Sequence, residues 1–94
     1  MPSPDELLKK YLTCMELALR EFKFTELVEA KGLMNEASRV LDLAKRYYLD
    51  AKHYGEQGDA LTGIVCIAYG EGLMDALRIM GLASFKWPFE RRGG

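Results

Sequence analysis

Arg46 and His53 stand seven residues apart in an apolar-periodic stretch. They offer a cation for a phosphate and an imidazole for proton transfer. Seven residues is about two turns of helix. The plainer role for His53 is a solvent-facing side chain near a helix C-terminus, where the helix dipole favours its charge. Asp50 and Asp75 lie in separate apolar segments and would form an acid–base pair if two helices brought them together. Asp75 shares a helix face with Leu61, Val65 and Ala68, and a carboxylate there must find a partner or shift its pKa. A hydrogen bond to a tyrosine hydroxyl or a backbone amide is its expected structural role, and an interface contact its functional one. Tyr47, Tyr48, Tyr54 and Tyr69 read first as core or rim residues with a wet hydroxyl. Their sharper role is an aromatic docking surface for a protein, or a stacking surface for a base.

No catalytic set is assigned. The chain has one histidine, no CxxC and no glycine-rich phosphate loop, so neither a metal site nor a cofactor is expected. Cys14 and Cys66 each sit inside an apolar helical pattern and are expected to be reduced and buried. The residues expected to frame a binding surface are Asp50, Tyr54, Tyr69 and Asp75.

The elements that must position these residues are helical. Ser3-Pro4-Asp5-Glu6 has the form of a capping box, with Ser at the N-cap, Pro at N1 and Glu at N3. Leu8, Tyr11, Met15, Ala18 and Phe22 then follow at helical spacing, widened by Leu12 and Leu19. Leu33, Ala37, Val40, Ala44, Tyr47, Ala51 and Tyr54 alternate spacings of four and three, a bundle seam. This second helix extrapolates back towards Thr25, and either Thr25 or Gly32 reverses the chain before it. Gly58 is placed to end it and Asp59 to cap the third helix, about Ala60 to Met80. That helix is apolar nearly all round. Leu61, Ile64, Val65, Ala68, Gly72, Ala76 and Ile79 make one face; Ile67, Met74 and Leu77 make another. Gly63, Gly70 and Gly72 each cost it about 1 kcal/mol against alanine, which points to close helix approach or to a partner. No strand alternation appears. The expected fold is an all-α, antiparallel up-and-down three-helix bundle over residues 1–84, with an aromatic and basic tail over 85–94. Trp87 and Phe89 fold back on the bundle or anchor a partner, with fold-back preferred.

With 94 residues, 49% of them hydrophobic and 29% charged, the composition excludes a disordered polyelectrolyte. Charge is balanced: 8 basic and 8 acidic residues up to position 47, then 5 and 6 beyond it. A sequence-independent phosphate binder would carry a basic excess, so nucleic acid is not a favoured partner. No run of about 18–20 apolar residues is expected to span a bilayer. The first residues lack the basic-then-apolar order of an export signal. A cytoplasmic protein with no membrane partner is the expectation. The Gly93-Gly94 end is read as a frayed tail.

The segments Tyr47-Tyr48-Leu49-Asp50-Ala51, Gly58-Asp59, Ala68-Tyr69-Gly70-Glu71-Gly72-Leu73-Met74-Asp75-Ala76 and Gly81-Leu82 carry a resemblance. They are similar to the Tyr-Tyr-x-Asp-Ala stretch, Gly-Asp turn, Tyr-Ala-x-Gly-x-Leu-Asp-Ala stretch and closing Gly-Leu of the archaeal domain of unknown function 357 family. Gly70 and Gly63 depart from it, where alanine is common. The resemblance covers roughly positions 5–82 and implies a three-helix up-and-down bundle with no activity attached. Relatives fused to nucleotidyltransferase-like domains suit an accessory or docking role.

The leading expectation for function is therefore a protein-interaction or scaffold module, not an enzyme. Its partner would be an unidentified protein or a second copy. The apolar third helix motivates it, because three short helices have difficulty covering two of its faces. The alternative rests on Arg46 and His53, whose spacing loosely resembles the signature of HEPN-type helical domains. It implies an RNA- or nucleotide-binding domain, or a ribonuclease. Such a site needs both residues on one exposed face. A helical peptide groove of the MIT or TPR kind is a third reading.

Overall fold

The Ser3 hydroxyl accepts from the Glu6 amide, and the Glu6 carboxylate accepts from the Ser3 amide. This capping box opens α1 (Pro4–Glu21) as the sequence predicts. The Ser3 amide bond holds the Glu6 carboxyl below its usual range. The computed structural model describes residues 1–88; Phe89, the Arg91-Arg92 pair and Gly93-Gly94 lie outside the described residues.

Among the described residues four helices are present where three were expected, together with one two-residue strand pair. Both candidate breaks after α1 are used. The chain extends through β1 (Lys23–Phe24), then makes the five-residue α2 (Glu26–Ala30). Gly32 at φ 65° turns it into α3 (Met34–Glu56), so the long helix begins well after Thr25. Gly58 at φ 80° closes α3, and Asp59 accepts from the Thr62 amide to cap α4 (Ala60–Ile79). Gly81 at φ 78° ends α4, and β2 (Ala83–Ser84) returns antiparallel to β1, with Lys23 opposite Ser84 and Phe24 opposite Ala83. The strand pair is invisible to periodicity because two residues cannot alternate. The Thr25 hydroxyl donates to the Gly81 carbonyl at 2.6 Å, and the Thr25 amide donates to the Leu82 carbonyl, so this junction is tied across 56 residues of sequence.

Leu8, Met15 and Ala18 of α1, Ala37, Ala44 and Ala51 of α3, and Ala60, Ile67, Met74 and Leu77 of α4 fill the core. Small residues on α3 let it come close to α4. A Cβ on Gly63 would lie 3.0 Å from the Ala51 carbonyl oxygen, and one on Gly70 would lie 3.2 Å from that of Ala44. The order of these contacts makes α3 and α4 antiparallel. Leu8 and Met15 of α1 meet Gly63 and Gly70 in the same order, so α1 runs parallel to α4. The Tyr48 hydroxyl donates to the Glu16 carboxylate and ties α3 to α1. Burial and that carboxylate push the Tyr48 hydroxyl up to about 12.

The division expected at residue 84 cuts through packed structure. Phe85 stacks on Phe22, Trp87 meets Phe85 edge-on, and Trp87 is 1% exposed. The chain folds back at least to Trp87.

The expectation of no membrane-length apolar run needs correction. By length and composition alone α4 is long and apolar enough to cross a bilayer, with a third of its most apolar window buried. Its other property is position. Its row of alanines, glycines and large apolar residues at 60, 63, 67, 70, 74 and 77 is packed against α1 and α3.

Candidate functional site

The two apolar faces of α4 have different fates. The row just named is inside. Ile64, expected on the second face, is half-buried against the core; the rest of that face, Leu61, Val65, Ala68, Gly72, Ala76 and Ile79, is exposed along the whole helix, with Tyr69 and Met80 beside it. Leu61 and Val65 are each 68% exposed, Tyr69 55%, Met80 59% and Ile79 80%. Successive members are three or four residues apart, so they touch along one side of the helix. None is charged. Gly72 has open space where its Cβ would be, unlike Gly63 and Gly70. The two expected reasons for glycine in this helix are therefore divided. Close approach accounts for Gly63 and Gly70, whereas Gly72 belongs to the outer face.

Multiplying the five exposed fractions by a full side-chain surface of about 200 Å² gives roughly 650 Å² before the small residues are added. The largest apolar patch of an ordinary monomer is about 300–600 Å². An isolated exposed leucine would mean nothing. A continuous uncharged row over about 20 residues of helix, roughly 30 Å, is a surface with a function to explain.

Three of the four expected binding residues lie on one side of this row. Tyr69 packs on Tyr47 of α3 with ring centroids 4.5 Å apart. Asp50 and Tyr54, one turn and two turns beyond Tyr47, are exposed on α3. Burial pushes the Cys66 thiol up, followed by the charges of Asp50 and Asp59. Asp75 stands apart from them. Six residues separate it from Tyr69, placing the two about 120° apart around α4. Its Oδ1 accepts from the Trp87 indole N–H at 2.7 Å and from the Arg78 guanidinium at 3.0 Å. The partner is thus an indole and a guanidinium, where a tyrosine or a backbone amide was expected. The tail supplies it, and tail contacts leave no periodic trace in sequence.

Glu71 is the residue the sequence reading leaves out. It lies one turn before Asp75, so the carboxylate pair was legible from i,i+4 spacing. One Glu71 carboxylate oxygen is buried and accepts no hydrogen bond. Burial first, then the Asp75 charge, pushes the Glu71 carboxyl up to about 7. Burial first, then the Glu71 charge, pushes the Cys14 thiol up. Cys14 is buried and Cys66 half-buried, and both are free.

Arg46 and His53 are both exposed on α3. Two turns place them on one side of the helix but about 10 Å apart along it. The groove that Arg46 lines with Glu36, Arg39, Val40, Asp42 and Leu43 does not include His53. The His53 ring lies against Tyr54, centroids 5.7 Å apart. Among the described residues no cluster of three or more His, Cys, Asp or Glu is placed to hold a metal.

Residues 10–83 match the model of the DUF357 family, described as a protein family of unknown function. The chain belongs to that family. The match spans α1 from its second turn, the three glycine turns at Gly32, Gly58 and Gly81, all of α3 and α4, and the first residue of β2. It attaches no activity to any residue. No curated protein and no solved structure matches the chain.

Proposed function

We propose that this DUF357 domain is a protein-interaction module whose contact surface is the outer face of α4. One observation carries the reading: five large apolar side chains, more than half exposed, form an uncharged row along the helix at the centre of the fold. Water wets such a row at a cost of about 25 cal/mol per Å², so covering it is favourable. Tyr69, with Asp50 and Tyr54 beyond it, borders the row on the α3 side. Asp75 borders it on the other side, where its main work is to hold Trp87.

The occupant is a protein and not a lipid surface. A helix that lies on a membrane carries Lys and Arg along its polar margins. The only basic residue of α4 is Arg78, and it pairs with Asp75. We place the domain in the cytoplasm, where its two free thiols, both pushed up by burial, stay reduced. The ribonuclease reading is not favoured, because Arg46 and His53 do not converge on one concavity.

The test is capture by the tagged domain from extract of its own source, with and without ribonuclease, beside a Val65→Glu variant. The expected result is protein that survives ribonuclease and is absent from the variant. Material lost on ribonuclease treatment and indifferent to Val65→Glu would refute the reading and favour nucleic acid.

A further inference from the structure

Resting on the reading above, we infer that the occupant of the α4 face is a second copy of this chain, with the two α4 helices antiparallel across a two-fold axis. A standard stable interface takes about 800 Å² from each partner. The five large side chains supply roughly 650 Å², and exposed Ala68, Gly72 and Ala76 add to it, so this face matches the area of one such interface.

The order of side-chain sizes is self-complementary in only one direction. The row runs large, large, small, small, small, large from Leu61 to Ile79. In an antiparallel pair whose facing residues sum to about 140, Leu61 meets Ile79 of the second copy. Val65 then meets Ala76 of the second copy, and Ala68 meets Gly72 of the second copy. Val65 has a small residue opposite it, the two large residues Leu61 and Ile79 meet at the helix ends, and the axis passes where both backbones are least encumbered. A parallel pair would put Leu61 on Leu61 and Val65 on Val65, and would leave the small residues facing a gap. Small residues at a crossing let helix backbones approach closely. This arrangement also gives Gly72 a purpose. An exposed mid-helix glycine costs about 1 kcal/mol against alanine, and nothing within its own chain lies within 4 Å of the Cβ position to require it. The row contains no charge, so the two-fold places no like charges against each other there. A symmetric interface needs one patch that fits itself, and this row does.

The experiment is sedimentation equilibrium on the full chain from about 1 μM to about 1 mM, a span that covers weak and moderate dimers. The expected result is a mass rising from 10.7 kDa to twice that value. Val65→Glu is expected to weaken the dimer at least tenfold while helix content is unchanged, since Val65 is two-thirds exposed in the single chain. Register is read with a pair of variants. Leu61→Glu alone and Ile79→Lys alone each weaken the dimer, and both together in one chain restore it, because each Glu then faces a Lys of the second copy. A parallel pair would not be restored.

A chain that stays at 10.7 kDa throughout overturns the inference. So does a dimer indifferent to Val65→Glu, or one not restored by the double variant. If the chain is monomeric but the extract yields a different protein sensitive to Val65→Glu, only the second copy is refuted and the docking face stands. If neither is seen, both readings fall.

Discussion

Asp75→Ala removes the acceptor for two donors at once: the Trp87 indole at 2.7 Å and the Arg78 guanidinium at 3.0 Å. A hydrogen bond to a charged group contributes about 1.5–3 kcal/mol. The Asp75 side chain is 39% exposed, so its exchange with water is incomplete and the salt bridge itself adds little. The lower end, about 1.5–2 kcal/mol, is the expected loss. For a chain of this size each kcal/mol moves Tm by about 4–8 °C, so the variant should melt roughly 10 °C lower. Trp87 is the only tryptophan and is 1% exposed, so its emission reports directly on whether the tail remains seated. The assay is thermal melting followed by far-ultraviolet dichroism, with tryptophan emission recorded below the transition. A lower Tm and a red-shifted emission at 25 °C are expected. An unchanged Tm with unshifted emission would refute the reasoning that Asp75 acts as the clasp of the tail. An unchanged Tm with loss of captured partner would return Asp75 to a contact role.

Two glycine substitutions separate the two faces of α4. Gly63→Ala places a Cβ 2.7 Å from a Leu8 methyl and 3.0 Å from a backbone carbonyl, so overpacking of about 1–3 kcal/mol outweighs the helix-propensity gain of about 1 kcal/mol, and denaturant titration should show a less stable protein. Gly72→Ala meets nothing and should stabilise the dilute chain by up to about 1 kcal/mol; destabilisation would contradict the open face. Glu71 carries a pH signature. Its carboxyl is raised from 4.5 to about 7 on folding, so the stability it contributes is present below pH 4.5 and is lost as pH rises through 7. Discounted for partial exposure, the loss is about 1 kcal/mol. Glu71→Gln should flatten the stability profile between pH 5 and pH 8 and be the more stable form at pH 8. A variant with the same profile as the parent would exclude Glu71 as its source.

The long helices were legible because their signals are local. Ser3 and Glu6, Gly58, and Asp59 with the Thr62 amide each act within a few residues. The seam of Ala37, Ala44 and Ala51 repeats every seven. Sequence also separated the two faces of α4, yet it could not say which face was inside. That choice rests on the alanines of α3 and on Leu8 and Met15 of α1 meeting Gly63 and Gly70, contacts between residues far apart in the chain. The short α2 and the strand pair escaped because they are held by Thr25 reaching Gly81 and Leu82. The same holds for the tail. Nothing near Trp87 in sequence points to Asp75 twelve residues earlier as its acceptor. Of the expected binding residues, Asp50, Tyr54 and Tyr69 were placed by helical spacing. Asp75 shared the spacing of the apolar row but turned towards the tail.

The most direct test of the docking face is hydroxyl-radical labelling of the side chains at Leu61, Val65, Ile79 and Met80. The protein is labelled dilute in buffer, concentrated in buffer, and in extract of its source. Full labelling when dilute, with protection of all four in at least one of the other two conditions, is the predicted result. Equal labelling of these four residues in all three conditions would contradict the claim that the outer face of α4 is where this domain meets its partner.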